Sequence, residues 1–272
     1  RNNFQYFTPE LNQRVTDRLR IENGLRHALE REELQVHYQP QVDLATGRIV
    51  GCEALLRWFP ADGAPIPPDR FIPVAEETGM IHPIGLWVLD EACRQLAQWE
   101  AEGAGGIRMA VNVAVPQLRR PSFVDGVESI LARHHMKPGR LEIEVTESVF
   151  LDPDAQIRET LRSLTDMGVK LSLDDFGTGY SSLSYLKNFR FDVLKIDRSF
   201  VSELARNHDD MTLVRAISSI ARDMSLITVA EGIESDEQRR ILTALGCNLG
   251  QGYLFSRPIP PSEFRRLVMP AN

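Results

Sequence analysis

The sequence predicts an α/β fold: a (β/α) barrel opened by an irregular antiparallel strand, with an open doubly wound sheet as the alternative. Three observations lead there. Strand-like apolar runs alternate with single helical patterns along most of the chain, which implies parallel pairing through right-handed crossovers. The series is preceded by two strand-like runs joined by a short turn. A polar or charged residue stands near the end of successive strands, and 272 residues suffice for an α/β barrel, which takes ~250.

In order, the first stretch, Arg1 to about Glu33, is polar and carries a helical pattern in Leu19, Ile21, Leu25, Ala28 and Leu29. It reads as a linker helix (1–33), and the domain proper as 34–272. Strands follow at Leu34 to Pro40 and Ile49 to Trp58, with Ala45-Thr46-Gly47-Arg48 as the turn between antiparallel partners. Helical patterns at Phe71 to Glu77 and Ile84 to Trp99 lead to a strand at Ile107 to Val113. A helix at Val124 to Arg133 precedes the strand Leu141 to Thr146, and one at Ala155 to Met167 precedes the strand Val169 to Asp174. A short helix at Ser182 to Lys187, the strand Val193 to Ile196, a helix at Met211 to Met224 and the strand Leu226 to Ala230 continue the alternation. A helix at Glu237 to Leu245, a strand at Gly250 to Leu254 and a helix at Ser262 to Val268 close it.

Composition narrows the function classes. With 43% hydrophobic and 25% charged residues the chain is neither disordered, collagenous nor a coiled coil. A net charge of −7 makes a poor footprint for a nucleic-acid polymer, although a nucleotide can still bind at a local site. Cys52, Cys93 and Cys247 form no CxxC pair, and an odd number leaves one unpaired; this fits buried thiols in a reducing cytoplasm. No apolar stretch is long enough to span a membrane, and none reads as a signal peptide. A start at Arg1 rather than Met reads as a segment of something longer, so a membrane anchor could lie upstream.

The strand ends carry the chemistry. Asn112 ends one apolar run; Glu142 and Glu144 alternate with Leu141, Ile143 and Val145; Leu171 and Leu173 lead to Asp174 and Asp175. Lys195 and Asp197 follow Val193-Leu194, Glu231 follows Ile227 to Ala230, and Glu53 interrupts the apolar run of the second strand, followed by Arg57. Any one of these acids is best read as the cap of the next helix. Six consecutive strands doing the same is different, because parallel barrel strands bring those ends to one rim, where active sites lie. Carboxylates gathered in a partly dry site raise one another's pKa unless a cation offsets them, so the cluster predicts bound metal. The six histidines avoid the strand ends, and oxygen-only ligation points to Mg²⁺, Mn²⁺ or Ca²⁺. Adjacent aspartates could share a carboxylate between two ions ~3.5–4 Å apart, a spacing that activates water and neutralises an in-line phosphoryl transition state.

Lys195 among these acids reads equally as a charge-balancing ion pair and as a group orienting the attacking water. The segment Phe176 to Ser182, with Gly177 and Gly179, reads as a gating loop beside the cluster or as a simple surface turn. Asp175-Phe176-Gly177 spells a kinase metal motif, but no HRD catalytic loop or Gly-rich phosphate loop accompanies it. A third reading, an enolase-type barrel with Lys195, Asp197 and Glu231 in proton abstraction, leaves the Asp174-Asp175 pair and the glycine loop without a role.

These runs resemble the EAL domain family of cyclic di-GMP phosphodiesterases. The resemblance is carried by Glu53-Ala54-Leu55-Leu56-Arg57-Trp58, Val111-Asn112-Val113, Glu144-Val145-Thr146-Glu147-Ser148, Asp174 to Ser182, Lys195-Ile196-Asp197, Ala230-Glu231-Gly232-Ile233-Glu234 and Gln251-Gly252-Tyr253-Leu254. They fall in family order between about Leu34 and Pro258. Arg1 to Glu33 is similar to the junction after a GGDEF domain in tandem proteins. The resemblance implies a modified TIM (β/α)8 barrel that hydrolyses cyclic di-GMP to linear pGpG with two Mg²⁺ or Mn²⁺ ions. Glu53, Asn112, Glu144 and Asp174 would hold one ion, and Asp174, Asp175 and Glu231 the other. Lys195 and Gln251 would position the attacking water. Arg57 and Asp197, with Gln39 and Glu234 beside them, would contact substrate, and Glu147 would anchor the loop. A homodimer and an upstream GGDEF or sensor domain are implied as partners. Ala114 stands where the family often has Ser, which touches a supporting hydrogen bond and not a ligand. The family also holds members that have lost acids and act as cyclic di-GMP receptors or protein-binding modules; every metal position named here keeps its expected residue.

Overall fold

The structure, a computed structural model, describes residues 9–61, 63–150, 154–177 and 189–269. The helix expected at 182–187 and most of the glycine loop lie outside the described residues. The chain divides into two compact units, residues 1–35 with 56–84 and residues 36–55 with 85–272.

In the first unit helix α1 (Pro9–Ala28) packs on α2 (Pro68–Thr78). The pair is joined by ion pairs from Arg18 to Glu77 and from Arg70 to Asp17 (3.2 Å). Their small core is aromatic. Trp58 is 2% exposed, meets the Phe71 ring edge-on at 5.6 Å, and donates from Nε1 to Glu33 at 3.0 Å. Pro68 at the start of α2 suits a position whose N–H would have no helical partner.

The second unit is built on a closed barrel in the order β1-β2-β3-β4-β5-β6-β7-β8. The strands are β1 (Leu34–Asp43), β2 (Ile49–Trp58), β3 (Arg108–Asn112), β4 (Leu141–Thr146), β5 (Lys170–Phe176), β6 (Val193–Ile196), β7 (Ile227–Ala230) and β8 (Leu249–Gly250). Every pair from β2 to β8 is parallel, and β1 meets β8 antiparallel through Val42 and Asp43. The expected turn between β1 and β2 is present: the Asp43 carboxylate accepts from the amides of Ala45 (3.1 Å) and Thr46 (2.7 Å). β1 runs past Pro40, where a strand end was expected, because its pairing with β8 falls beyond the proline, which has no N–H to contribute.

Crossover helices α3 (Ile81–Ala101), α4 (Val115–Leu118), α5 (Ser122–Arg133) and α6 (Ala155–Met167) join β2 to β5. The helices α7 (Arg198–Ser202), α8 (His208–Asp223), α9 (Asp236–Leu245) and α10 (Pro261–Val268) belong to the second half. Alternation decides which side chains face them. On β4, Leu141, Ile143 and Val145 turn to the helices, while Glu142 and Glu144 occupy the opposite face, the barrel interior. The last strand is shorter than the sequence suggested. After Gly250 the backbone turns against the β7–α9 connection: Gln251 N donates to Ala230 O at 2.9 Å and Ile233 N to Gln251 O at 3.1 Å. At Gly252 a Cβ would stand 2.2 Å from the Ile233 carbonyl oxygen, so the two backbones can approach only because that residue is glycine.

The cysteines at 52, 93 and 247 are free and buried, and burial pushes each thiol up, that of Cys93 to about 12. No helix among the described residues is long and apolar enough to cross a membrane.

Candidate functional site

At the C-terminal ends of the parallel strands the barrel closes around one lysine. Lys195, on β6, is 1% exposed, and its ammonium lies 2.7 Å from Glu144, 2.7 Å from Glu231, 3.2 Å from Asp174 and 3.7 Å from Glu53. These acids come from β4, the end of β7, β5 and β2, and they meet because the closed sheet carries residues far apart in sequence to one rim.

Two amides complete the arrangement. Asn112, last residue of β3, donates to one carboxylate oxygen of Glu53 at 2.6 Å, and Gln251 donates to the other. The Gln251 amide nitrogen also donates to Gln39 Oε1 at 3.1 Å, and Gln39 Nε2 donates to Ser256 O at 3.0 Å. Gln39, read from sequence as a substrate contact, therefore has both ends of its carboxamide engaged by protein and supports the Gln251–Glu53 hydrogen bond.

The electrostatics follow from burial against one central cation. At Glu53 desolvation opposes ionisation, yet Lys195 and the two amides outweigh it and hold the carboxyl below its ordinary value. At Glu144 desolvation wins over Lys195 and the carboxyl is raised well above it; at Glu231 the same balance gives about 8. Lys195 loses its hydration, but Asp174, Glu144, Glu231 and Glu53 more than restore its charge, raising its pKa well above that of a free lysine.

Asp175 departs from the strand alternation. The β5–β6 ladder is irregular between Leu173 and Phe176, and Asp175 sits at φ 57°, in the left-handed region that non-glycine residues seldom occupy. Desolvation, followed by the fields of Asp174 and Asp197, raises its pKa. Glu147, in the 3-10 turn after β4, is 8% exposed and accepts from Gly177 N at 3.4 Å, where Gly177 follows directly on β5. Asp197 caps α7, its carboxylate accepting from Ser199 N at 3.0 Å, and Glu234 lies exposed on the β7–α9 connection. Arg57, near the end of β2, donates to the Leu56 carbonyl at 2.9 Å and lies in the unit of residues 56–84.

The donors of the cluster are carboxylate and amide oxygens; Oε1 of Glu144 and Oε1 of Gln251 are buried without a hydrogen-bond partner, and four carboxylates face one ammonium. Charge and donor chemistry therefore fit a hard cation. The side chains are drawn in around Lys195, and among the described residues no group of three or more His, Cys, Asp or Glu closes to a metal-holding geometry.

The rim acids and Glu142 are legible in the sequence; Gln41 and Ser172, in the polar layer below the rim, are not. Gln41, Glu142 and Ser172 are 1%, 1% and 0% exposed. The alternation in Leu141 to Thr146 placed Glu142 on the same face as Glu144, and that is the signal from which this layer could have been found.

A closed barrel with one antiparallel strand, its rim gathering carboxylates and amides about a buried lysine, is an acid-rimmed α/β-barrel domain. The chain belongs to the EAL domain family, whose model matches residues 22–258. It is 46% identical over 264 residues to MucR of Pseudomonas aeruginosa, described as a bifunctional diguanylate cyclase/cyclic di-GMP phosphodiesterase. That match covers 97% of this chain and 38% of MucR; the chain spans little more than a third of the curated relatives it matches. A solved PaMucR phosphodiesterase in complex with c-di-GMP is similar with a TM-score of 0.86 at 46% identity, covering 90% of this chain and 99% of that one. A calcium/c-di-GMP complex of Klebsiella pneumoniae BlrP1 has a TM-score of 0.74 at 31% identity, over 85% of this chain and 57% of that one.

Proposed function

We propose that this chain is a cyclic di-GMP phosphodiesterase that opens one of the two phosphodiester bonds to give linear pGpG, with Mg²⁺ or Mn²⁺ as cofactor. The single observation that carries the reading is the set of four carboxylates converging on buried Lys195 at the barrel rim. The names of the relatives in the same family supply the substrate.

Glu53, Asn112, Glu144 and Asp174 would hold one cation, and Asp174, Asp175 and Glu231 a second. When bound, the cations supply Lewis acidity, lowering the pKa of water and offsetting charge on the phosphoryl oxygens. Lys195 and Gln251 would orient the water, Gln251 through the oxygen of its carboxamide, whose nitrogen is held by Gln39 and Glu53. Water oxygen attacks phosphorus in line, the bond to the ribose 3′-oxygen breaks, and the departing oxygen takes up a proton. Arg57 would pair with a phosphate of the dianionic substrate, which an acidic protein can bind only where the local field is positive. Gln39, Asp197 and Glu234 would hydrogen-bond to groups on the substrate. Glu147 would anchor the loop that starts at Phe176, through Gly177 N. Residues 1–33 would lead in from an upstream GGDEF or sensor domain, and the working form would be a cytoplasmic homodimer.

The test is incubation with cyclic di-GMP and each divalent cation, with separation of the products. Glu53→Ala and Asp174→Asn are expected to abolish turnover; hydrolysis at the parent rate by either would refute the assignment. A catalytically silent receptor is the second reading, since the chain spans little more than a third of the length of its curated relatives. Measurable nucleotide binding with unchanged nucleotide in every metal would establish it.

A further inference from the structure

Beneath the acidic rim the barrel interior carries a second polar layer. Side chains two apart on a strand share a face, so the strands that raise Gln39, Glu53, Glu144, Asp174 and Lys195 to the rim set Gln41, Gly51, Glu142, Ser172 and Val193 one step below. On one side this layer is apolar, with Val193, Val229 and Leu249 packed together. On the other, where bulky branched residues would ordinarily fill a barrel, stand Gln41, Glu142, Ser172 and a glycine. A Cβ at Gly51 would lie 2.9 Å from Gln41 Oε1, so the Gln41 carboxamide lies over that glycine, inside the barrel.

Gln41 Nε2 and Glu142 Oε1 are buried without a partner, and the Ser172 hydroxyl, near enough to Glu142 to favour its ionised form, makes no well-aligned hydrogen bond. In the layer above, Glu144 Oε1 is likewise buried without a partner. Buried polar atoms in folded proteins are nearly always paired, with protein or with ordered water. The set here is mixed: an amide donor, a hydroxyl that can do either, and two carboxylate oxygens. A cation would satisfy the oxygens but meet the Gln41 N–H and the positive fields of Arg108 and Lys195, which both reach Glu142. Water donates and accepts, and internal waters typically make about three hydrogen bonds.

We infer that Gln41, Glu142 and Ser172 form an internal water-binding site under the rim, and that water held there donates to Glu144 Oε1 and fixes this carboxylate against Lys195. Glu142 and Ser172 are thereby positioning residues for the reaction. The positioning half rests on the proposed phosphodiesterase activity; the water site does not.

The experiment is a crystal structure of the chain, detailed enough to order internal waters, for the parent, Ser172→Ala and Glu142→Leu. It is paired with melting curves and steady-state kinetics, and Glu142→Gln serves as the conservative control. The expected result is ordered water within hydrogen-bond distance of Glu142, Ser172 and Glu144 in the parent, displaced in Glu142→Leu. That variant should keep its melting temperature and KM while kcat falls about tenfold, the scale of losing a supporting partner in a metal site, and Glu142→Gln should restore it. A dry interior, density that exchanges with rubidium as a monovalent cation would, or parent kcat in both Ser172→Ala and Glu142→Leu would overturn the inference. Should Glu142→Leu fail to fold, Ser172→Ala alone decides. Ordered water in a chain that turns over no cyclic di-GMP would sink the activity and leave the water site standing.

Discussion

Replacing Lys195 by methionine tests the electrostatic design most directly. The substitution keeps an unbranched chain and removes the ammonium that lies 2.7 Å from Glu144 and Glu231 and 3.2 Å from Asp174. Lys195 and Glu144 are each 1% exposed, so the Glu144 carboxylate has no water to turn to. Removing one partner of a buried ion pair costs about 3–5 kcal/mol, because it leaves an uncompensated charge. For a chain of this size each kcal/mol lowers the melting temperature by about 2–4 °C, so a fall on the order of 10 °C is expected at pH 7. Proton uptake limits the loss. Acids with raised pKa bind more protons folded than unfolded, so their contribution is full below the unfolded carboxylate value and disappears as pH rises through the folded one. The deficit of Lys195→Met relative to the parent should therefore be smaller at pH 5 than at pH 8. Differential scanning fluorimetry across that range reads it. Melting within 2 °C of the parent at every pH, taken as about 1 kcal/mol or less, would show that the ammonium is not the compensating charge.

The same linkage gives the parent a pH dependence. Glu231, raised from 4.5 to about 8 by burial, favours folding below the unfolded value and loses that contribution through pH 8, whereas Glu53, lowered, contributes above its unfolded value and loses it in acid. Metal-free protein should thus lose melting temperature between pH 5 and pH 8; a rise across that window would contradict the raised Glu231. Chelation should abolish turnover, with Mn²⁺ or Mg²⁺ restoring it and raising the melting temperature, since saturation at a hundred times Kd adds about 2.7 kcal/mol; unchanged melting and activity in EDTA would exclude a bound cation. Glu147→Ala removes the acceptor of Gly177 N, a contact worth about 1 kcal/mol, so the fold should hold while activity and its response to added metal are lost. Normal kinetics for that variant would dispose of the anchoring role. Gly252→Ala places a methyl 2.2 Å from the Ile233 carbonyl oxygen and should displace Gln251, read as loss of both turnover and melting temperature; a crystal structure superposable on the parent would refute the close approach.

The legibility of the chain varied with the range of the interactions involved. The strands Leu141–Thr146 and Ile227–Ala230 were visible in their apolar pattern, and the β1–β2 turn in its Asp43 to Arg48 chemistry, because each is decided by residues a few positions apart. The end of β8 was not. Whether residues 251–254 extend a strand depends on the backbone of Ile233, nineteen residues upstream of Gly252 by number, pressing on a glycine. Asp197 shows the same division: its capping of α7 is local and was expected of any acid after a strand, while a contact to substrate is not a local property.

The sequence by itself determined the class of fold, the identity of the acids and the family, since periodicity, turn residues and motif order are written along the chain. Only the tertiary structure decided that Lys195 is the centre of those acids, that Gln39 supports Gln251, and that a second polar layer underlies the rim. The reason is that ring closure of the sheet brings together side chains 212 positions apart, as between Gln39 and Gln251. Burial in that shared interior, which no single segment encodes, sets which charges must compensate one another.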